Sequence, residues 1–169
     1  SANLVSINDD RPVVAPYVVL ERGGARLGIL GLTDPKAEGV LRKADGATVL
    51  DPLPVARQYV PDLRGQVDVL IVLSNLGLEE DIALAEAVPG IDIIVGGTSY
   101  RVMRTPQRVA NTLIVQQGYR GEWMGRHRVS YDAQGLPIAF SEDLITLTDD
   151  YVDDQEMAAL VEKWKALFP

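Results

Sequence analysis

Short apolar runs separated by turn-forming clusters set the rhythm of this chain. Tyr17 to Glu21 (YVVLE) and Arg26 to Leu32 (RLGILGL) flank Gly23-Gly24, and glycine supplies the positive φ that a tight two-strand turn requires, so the pair predicts a β-hairpin. Thr33-Asp34-Pro35 breaks the pattern, and the stretch to Asp51 predicts a loop with room for a short helix. From Pro54 the apolar positions Val55, Tyr59, Val60 and Leu63 recur at near-helical spacing with Pro61 among them. This predicts a short or kinked helix, because proline lacks the N–H that a helix interior uses.

Val67 to Ser74 (VDVLIVLS) is an almost unbroken β-branched and leucine run, the pattern of a central strand covered on both faces. Glu79 to Val88 follows as an amphipathic helix that ends at Pro89-Gly90. Its acidic first turn, Glu79, Glu80 and Asp81, suits the positive end of the helix dipole. Ile91 to Val95 (IDIIV) is a second strand, so residues 67–95 predict a parallel strand–helix–strand unit with a right-handed crossover. Thr112 to Gln116, Arg126 to Tyr131 and Ile138 to Leu147 predict further strands between 112 and 147, an antiparallel run that completes the sheet. Beyond Asp153-Asp154, one of which is placed to cap the turn, Met157, Leu160, Val161, Trp164, Leu167 and Phe168 trace the apolar face of a C-terminal helix. With no linker, repeat or low-complexity tract, 1–169 reads as a single α/β domain, leaning to α+β, with a mixed sheet.

Composition narrows the partners. A chain of 169 residues that is 47% hydrophobic and 24% charged can bury a real core. A formal net charge of -8 repels a phosphate backbone, and no Lys/Arg cluster stands out against it, which argues against nucleic acid. The arginines between Arg120 and Arg128 are spaced among Gly, Trp, Met and His and read as a solvated strand face. Cysteine is absent, which removes disulfides, thiolate metal sites and a cysteine nucleophile. No apolar run approaches the roughly 20 residues of a membrane-spanning helix, so no membrane insertion is expected. Ser1-Ala2-Asn3-Leu4 does not look like a signal peptide.

Four stretches together carry a family resemblance: Ala25 to Thr33 (ARLGILGLT), Val67 to Leu78 (VDVLIVLSNLGL), Gly90 to Tyr100 (GIDIIVGGTSY) and Thr112 to Gly125 (TLIVQQGYRGEWMG). In order and spacing they resemble the C-terminal half of the catalytic domain in the 5'-nucleotidase branch of the calcineurin-like metallophosphoesterases. The resemblance implies half of an α/β/β/α sandwich, and a periplasmic or cell-surface setting in nucleotide catabolism. It also implies a pair of divalent cations, manganese or zinc, that activate a bridging water for attack on a phosphate ester. The family's Ser-His-Leu-Gly stands here as Ser74-Asn75-Leu76-Gly77, and its Gly-Gly-His-Ser-His as Gly96-Gly97-Thr98-Ser99-Tyr100. All three ligand histidines are thus replaced, by Asn75, Thr98 and Tyr100. An amide, a hydroxyl and a protonated phenol are weak ligands where imidazole is a strong one. The family's Asp-x-His, Gly-Asp and Gly-Asn-His segments are not found, and Ser1 to Leu4 looks like the strand that follows the last of them.

The expectation is therefore a degenerate domain with no catalytic residue, no bound metal or other cofactor, and a structural or interaction role. One alternative makes the chain part of an active phosphoesterase whose N-terminal half lies elsewhere, with manganese or zinc as cofactor. Another keeps a phosphate or nucleotide, without hydrolysis, in a residual pocket of Asn75, Gly77, Gly96, Gly97 and Gly118. The plainer reading of these residues is that Asn75 satisfies loop backbone and the glycines make turns. His127, the sole histidine, lies between two arginines on an alternating strand and reads as a sheet-face residue rather than a base. Glu79, Glu80 and Asp81 could hold a cation but are explained by the helix dipole, and Asp34, Asp51, Asp68 and Asp92 are too scattered for a magnesium site. Trp123-Met124 and the final helix read as packing surface. Half of a layered fold exposes the face its other half would cover, so self-association or a partner domain is expected.

Overall fold

The computed structural model describes residues 1–37, 46–132 and 137–167. Along the chain run β1 (Leu4–Ser6), β2 (Tyr17–Arg22), β3 (Ala25–Thr33), a 3-10 turn (Pro35–Ala37), β4 (Ala47–Val49), α1 (Pro52–Arg64), β5 (Val69–Asn75) and α2 (Leu78–Ala87). They are followed by β6 (Ile93–Val95), β7 (Gln107–Val109), β8 (Thr112–Val115), β9 (Trp123–Tyr131), β10 (Pro137–Thr146) and α3 (Gln155–Leu167). The main sheet has six strands in the order β2-β3-β5-β6-β8-β7.

The predicted hairpin is β2-β3, and Gly23 and Gly24 make its turn at φ 59° and 81°. β5, α2 and β6 form the expected unit, with β5 and β6 parallel and paired from Ile71↔Ile93 to Leu73↔Val95. The strands after residue 112 arrange differently from a single antiparallel run. β8 enters the main sheet parallel to β6, and its antiparallel neighbour is β7, a three-residue strand with no periodic signal of its own. Among the described residues β9 and β10 pair only with each other, as a separate antiparallel ribbon. Inside the stretch expected to be loop, β4 pairs antiparallel with β1; its middle, 38–45, lies outside the described residues.

Asp51 caps α1 by accepting from the Leu53 N–H at 3.0 Å, and proline opens the helix. The helix is longer than expected, running 13 residues through Pro61. Pro61 sits in the last turn, so the one backbone bond it cannot donate is lost near the helix end and not in its middle. α1 (Val55, Ala56, Val60, Leu63) and α2 (Leu84, Ala85) cover one face of the sheet, burying Leu30, Leu32, Leu70, Val72, Ile94 and Ile114.

Among the described residues the opposite face is open, which corrects the expectation that β5 is covered on both sides. Alternate β5 residues leave the core, and Leu73 is 49% exposed. Around it Leu27, Ile29, Ile71, Ile93 and Val95 are half-buried, and Val18 and Leu20 on β2 are exposed. The apolar run in β5 is suited to two covered faces, but the described helices cover one.

α3 corrects a second expectation. Asp154 caps it, accepting from the Met157 N–H at 2.9 Å, yet Met157, Leu160, Val161, Trp164 and Leu167 are exposed and no α3 residue is buried. Phe168 lies outside the described residues.

The two faces should respond differently to truncation. Ile94→Ala, which empties a fully enclosed site, is expected to cost about 2–5 kcal/mol, whereas Leu73→Ala should cost under about 1 kcal/mol. Chemical denaturation of both variants measures this, and equal losses would show that Leu73 is covered.

Candidate functional site

Parallel α/β sheets bind ligands beyond the carboxyl ends of their strands, and here β5 ends with Ser74-Asn75 and runs on through Leu76-Gly77, while β6 is followed by Gly96-Gly97-Thr98-Ser99-Tyr100. The β5–β6 ladder stops at Leu73↔Val95, so side chains and backbone caps set the positions of both loops relative to each other.

Behind them lies a buried polar network that the sequence pattern does not reveal. Asp81 is fully buried, although its first-turn position reads as a solvated dipole contact. Its carboxylate accepts from the Ser74 hydroxyl and, at 3.5 Å, from Gln116 Nε2. The Gln116 carbonyl oxygen in turn accepts from the Ser99 hydroxyl at 2.8 Å, and Ser99 Oγ accepts from the Leu78 N–H at 3.2 Å. Four side chains from β5, α2, the β6 loop and the end of β8 thus tie both loops to the core. Such networks stabilise only when each member is satisfied.

Glycine makes this arrangement fit at two places. Gly77 caps α2 at φ 109°, which L side chains rarely adopt. At Gly96 a Cβ would lie 2.7 Å from Gln116 Nε2 and closer still to the Asp81 carboxylate. The missing side chain at Gly96 makes room for the network.

In front, Asn75 Nδ2 donates to Thr98 Oγ1 at 2.9 Å. Tyr100 points elsewhere. It is 65% exposed with φ 55°, and its ring packs against Tyr119 at 5.6 Å between centroids. The residues proposed for a residual pocket therefore divide. Asn75, Gly96 and Gly97 share an open depression of about 310 Å³ with Ser1, Gly31 and Thr33. Gly77 lines a neighbouring one of about 460 Å³, with Thr98, Asp34, Lys36, Glu80 and Arg101. Gly118 lines neither, being packed against the side chains of Val102 and Trp123.

The dispersed aspartates have local structural work. Asp34 accepts from the Lys36 N–H at 2.9 Å, Asp68 from the Arg26 N–H at 2.7 Å, and Asp92 pairs with Arg64 at 2.5 Å. His127 lies in β9 with Nε2 2.9 Å from the Gln117 amide and its ring against Phe140. Among the described residues, no three His, Cys, Asp or Glu side chains gather so as to hold a metal ion.

Burial raises the Asp81 pKa above its ordinary value of 3.8, and the bonds from Ser74 and Gln116 oppose the shift without cancelling it. A carboxyl whose folded pKa is raised favours folding most below its unfolded pKa, and that advantage is lost as the pH rises through the folded value. The stability difference between wild type and Asp81→Asn should therefore move against wild type as the pH rises from below 3.8. Denaturation at a series of pH values measures the slope, and a flat difference would show that Asp81 does not titrate abnormally.

Comparison with known proteins places this geometry. No protein-family model matches the chain. It is 32% identical over 134 residues to the uncharacterized metallophosphoesterase YunD of Bacillus subtilis, covering 78% of this chain and 29% of that protein. The crystal structure of a 5'-nucleotidase precursor from Thermus thermophilus superposes with a TM-score of 0.78 at 28% identity, over 99% of this chain and 37% of that one. The sulfate thiohydrolase SoxB of the same genus gives a TM-score of 0.87 at 22% identity, over 99% of this chain and 32% of that one, a likeness of fold. The chain thus spans about a third of the length of these relatives.

Proposed function

We propose, from the premise that this chain belongs to the 5'-nucleotidase branch of the calcineurin-like metallophosphoesterases, that it is a degenerate member of that family, with a structural role in place of catalysis. The observation that carries this reading is the donor set at the ends of β5 and β6. The resemblance assigns three imidazole ligands there, and the chain offers Asn75, Thr98 and Tyr100. Asn75 and Thr98 are hydrogen-bonded to each other, and Tyr100 packs on Tyr119. A neutral amide, a hydroxyl and a phenol are weaker ligands than the three imidazoles the resemblance assigns, for zinc above all, and Asn75 and Thr98 are bonded to each other. No catalytic step is derived through such an ion.

A second reading is supported by length. Because the chain spans about a third of its relatives, the rest of an active phosphoesterase could lie in another segment of a longer protein, with these loops supplying only its walls. Nucleotide or phosphate binding without hydrolysis has weaker support. The depression beside Asn75 and Gly97 has no basic side chain in its wall, and in the neighbouring one, where Lys36 and Arg101 line the wall, Lys36 is paired with Glu80 at 3.5 Å and Asp34, Glu79 and Glu80 supply opposing charge.

The structural role has a surface to match it. The open apolar face around Leu73 is suited to a second layer of protein, from another segment or another copy of the chain.

Two measurements test these readings. The purified chain is expected to retain no stoichiometric manganese or zinc and to hydrolyse no chromogenic phosphate ester when either metal is added. Metal-dependent turnover would overturn the non-catalytic reading. Sedimentation velocity should show concentration-dependent association, and a monomer at all concentrations that binds no apolar dye would count against a docking role for the open face.

A further inference from the structure

The two loops beyond the last rung of the β5–β6 ladder are joined at the back by Asp81, Gln116 and Ser99, and at the front by one side-chain hydrogen bond. We infer that this bond, Asn75 Nδ2 to Thr98 Oγ1, is a clasp that holds the loops together where no cation does so. The inference rests on the non-catalytic reading above, since it needs the two former ligand positions to be free of metal.

Three observations support it. The partners are 23 residues apart in sequence, Asn75 at the end of β5 and Thr98 in the loop after β6, and meet at 2.9 Å. They occupy two of the three positions that the resemblance assigns to histidine, so the pairing is between the replacements themselves and not with bystanders. The third replacement, Tyr100, is absent from the clasp because its backbone, at φ 55°, carries the ring to Tyr119. β3 holds Asn75 through the rung Thr33↔Asn75, and β8 holds the base of the next loop through the Gly96 N–H on the Val115 carbonyl. No rung of the β5–β6 ladder reaches Asn75 or Thr98, so their bond is what ties the front of that loop to the end of β5. The buried network holds the loop bases through Ser74 and Ser99, the residues beside Asn75 and Thr98. The clasp then needs to fix only Thr98 against the end of β5, which one hydrogen bond of ordinary strength can do.

The test is hydrogen exchange by mass spectrometry on peptides covering residues 74–78 and 96–100, in the whole chain. Asn75→Ala and Thr98→Val should each raise exchange in both peptides by roughly two- to tenfold. The double variant should be no faster than either single one, because both changes break the same bond. Thr98→Ser, which keeps the hydroxyl, should match wild type. Unchanged exchange in the single variants, or additive effects in the double, would overturn the clasp. Added manganese or zinc should leave wild-type exchange unaltered. Slowing by metal would instead overturn the metal-free reading beneath it, so the two failures give different results.

Discussion

A parallel sheet must be covered on both faces, because its strands are apolar on both, and this requirement governs the rest of the molecule. α1 and α2 satisfy it on one side by enclosing Leu70, Val72, Ile94 and Ile114. On the other, the alternate residues of the same strands, Ile71, Leu73, Ile93 and Val95, form a continuous apolar surface that the described residues leave open. The fold is thus built as one half of a layered structure. Its similarity to about a third of longer phosphoesterases agrees with that.

Once one face is sealed, the strand ends are fixed, and the loops they carry are fixed with them. Asp81 connects this to the candidate site. Its burial behind the loops gives α2, β5 and β8 a common polar anchor, and Gly96 has to be glycine to make space for it. The network holds the ends of β5 and β6 in place, and at its front Asn75 and Thr98 stand where the family resemblance assigns imidazoles. Framework and chemistry separate cleanly, since the first needs Ser74, Asp81, Ser99 and Gln116 and the second would need histidines. On the proposed reading, the scaffold keeps its shape without metal ligation.

Much of this was readable from residue patterns, for physical reasons. Gly23-Gly24 between two apolar runs admits little besides a hairpin, and the strand–helix–strand unit follows from run lengths and the Pro89-Gly90 stop. β4 escaped detection because its strand character comes from β1, far away in sequence, and β7 because its three residues, turning straight into β8, show no period of their own. The open sheet face escaped because a run of valine and leucine specifies what both faces need and not what the chain provides. At the candidate site the replaced ligands were legible one by one through the family resemblance. The meeting of Asn75 with Thr98 was not, since it depends on two loops brought side by side by parallel strands. Asp81 misled because a carboxylate in a first helical turn looks the same in sequence whether it faces water or a buried serine.

The central claim is that the ends of β5 and β6 keep the form of a metal site without its ligation. The most direct measurement is a crystal structure of the chain grown in millimolar manganese, with anomalous differences collected at a wavelength where manganese scatters strongly. The account predicts no anomalous peak within coordination distance of Asn75, Thr98 or Tyr100, and an intact hydrogen bond between the first two. A well-occupied peak there, with that bond broken and the side chains turned onto the ion, would contradict it.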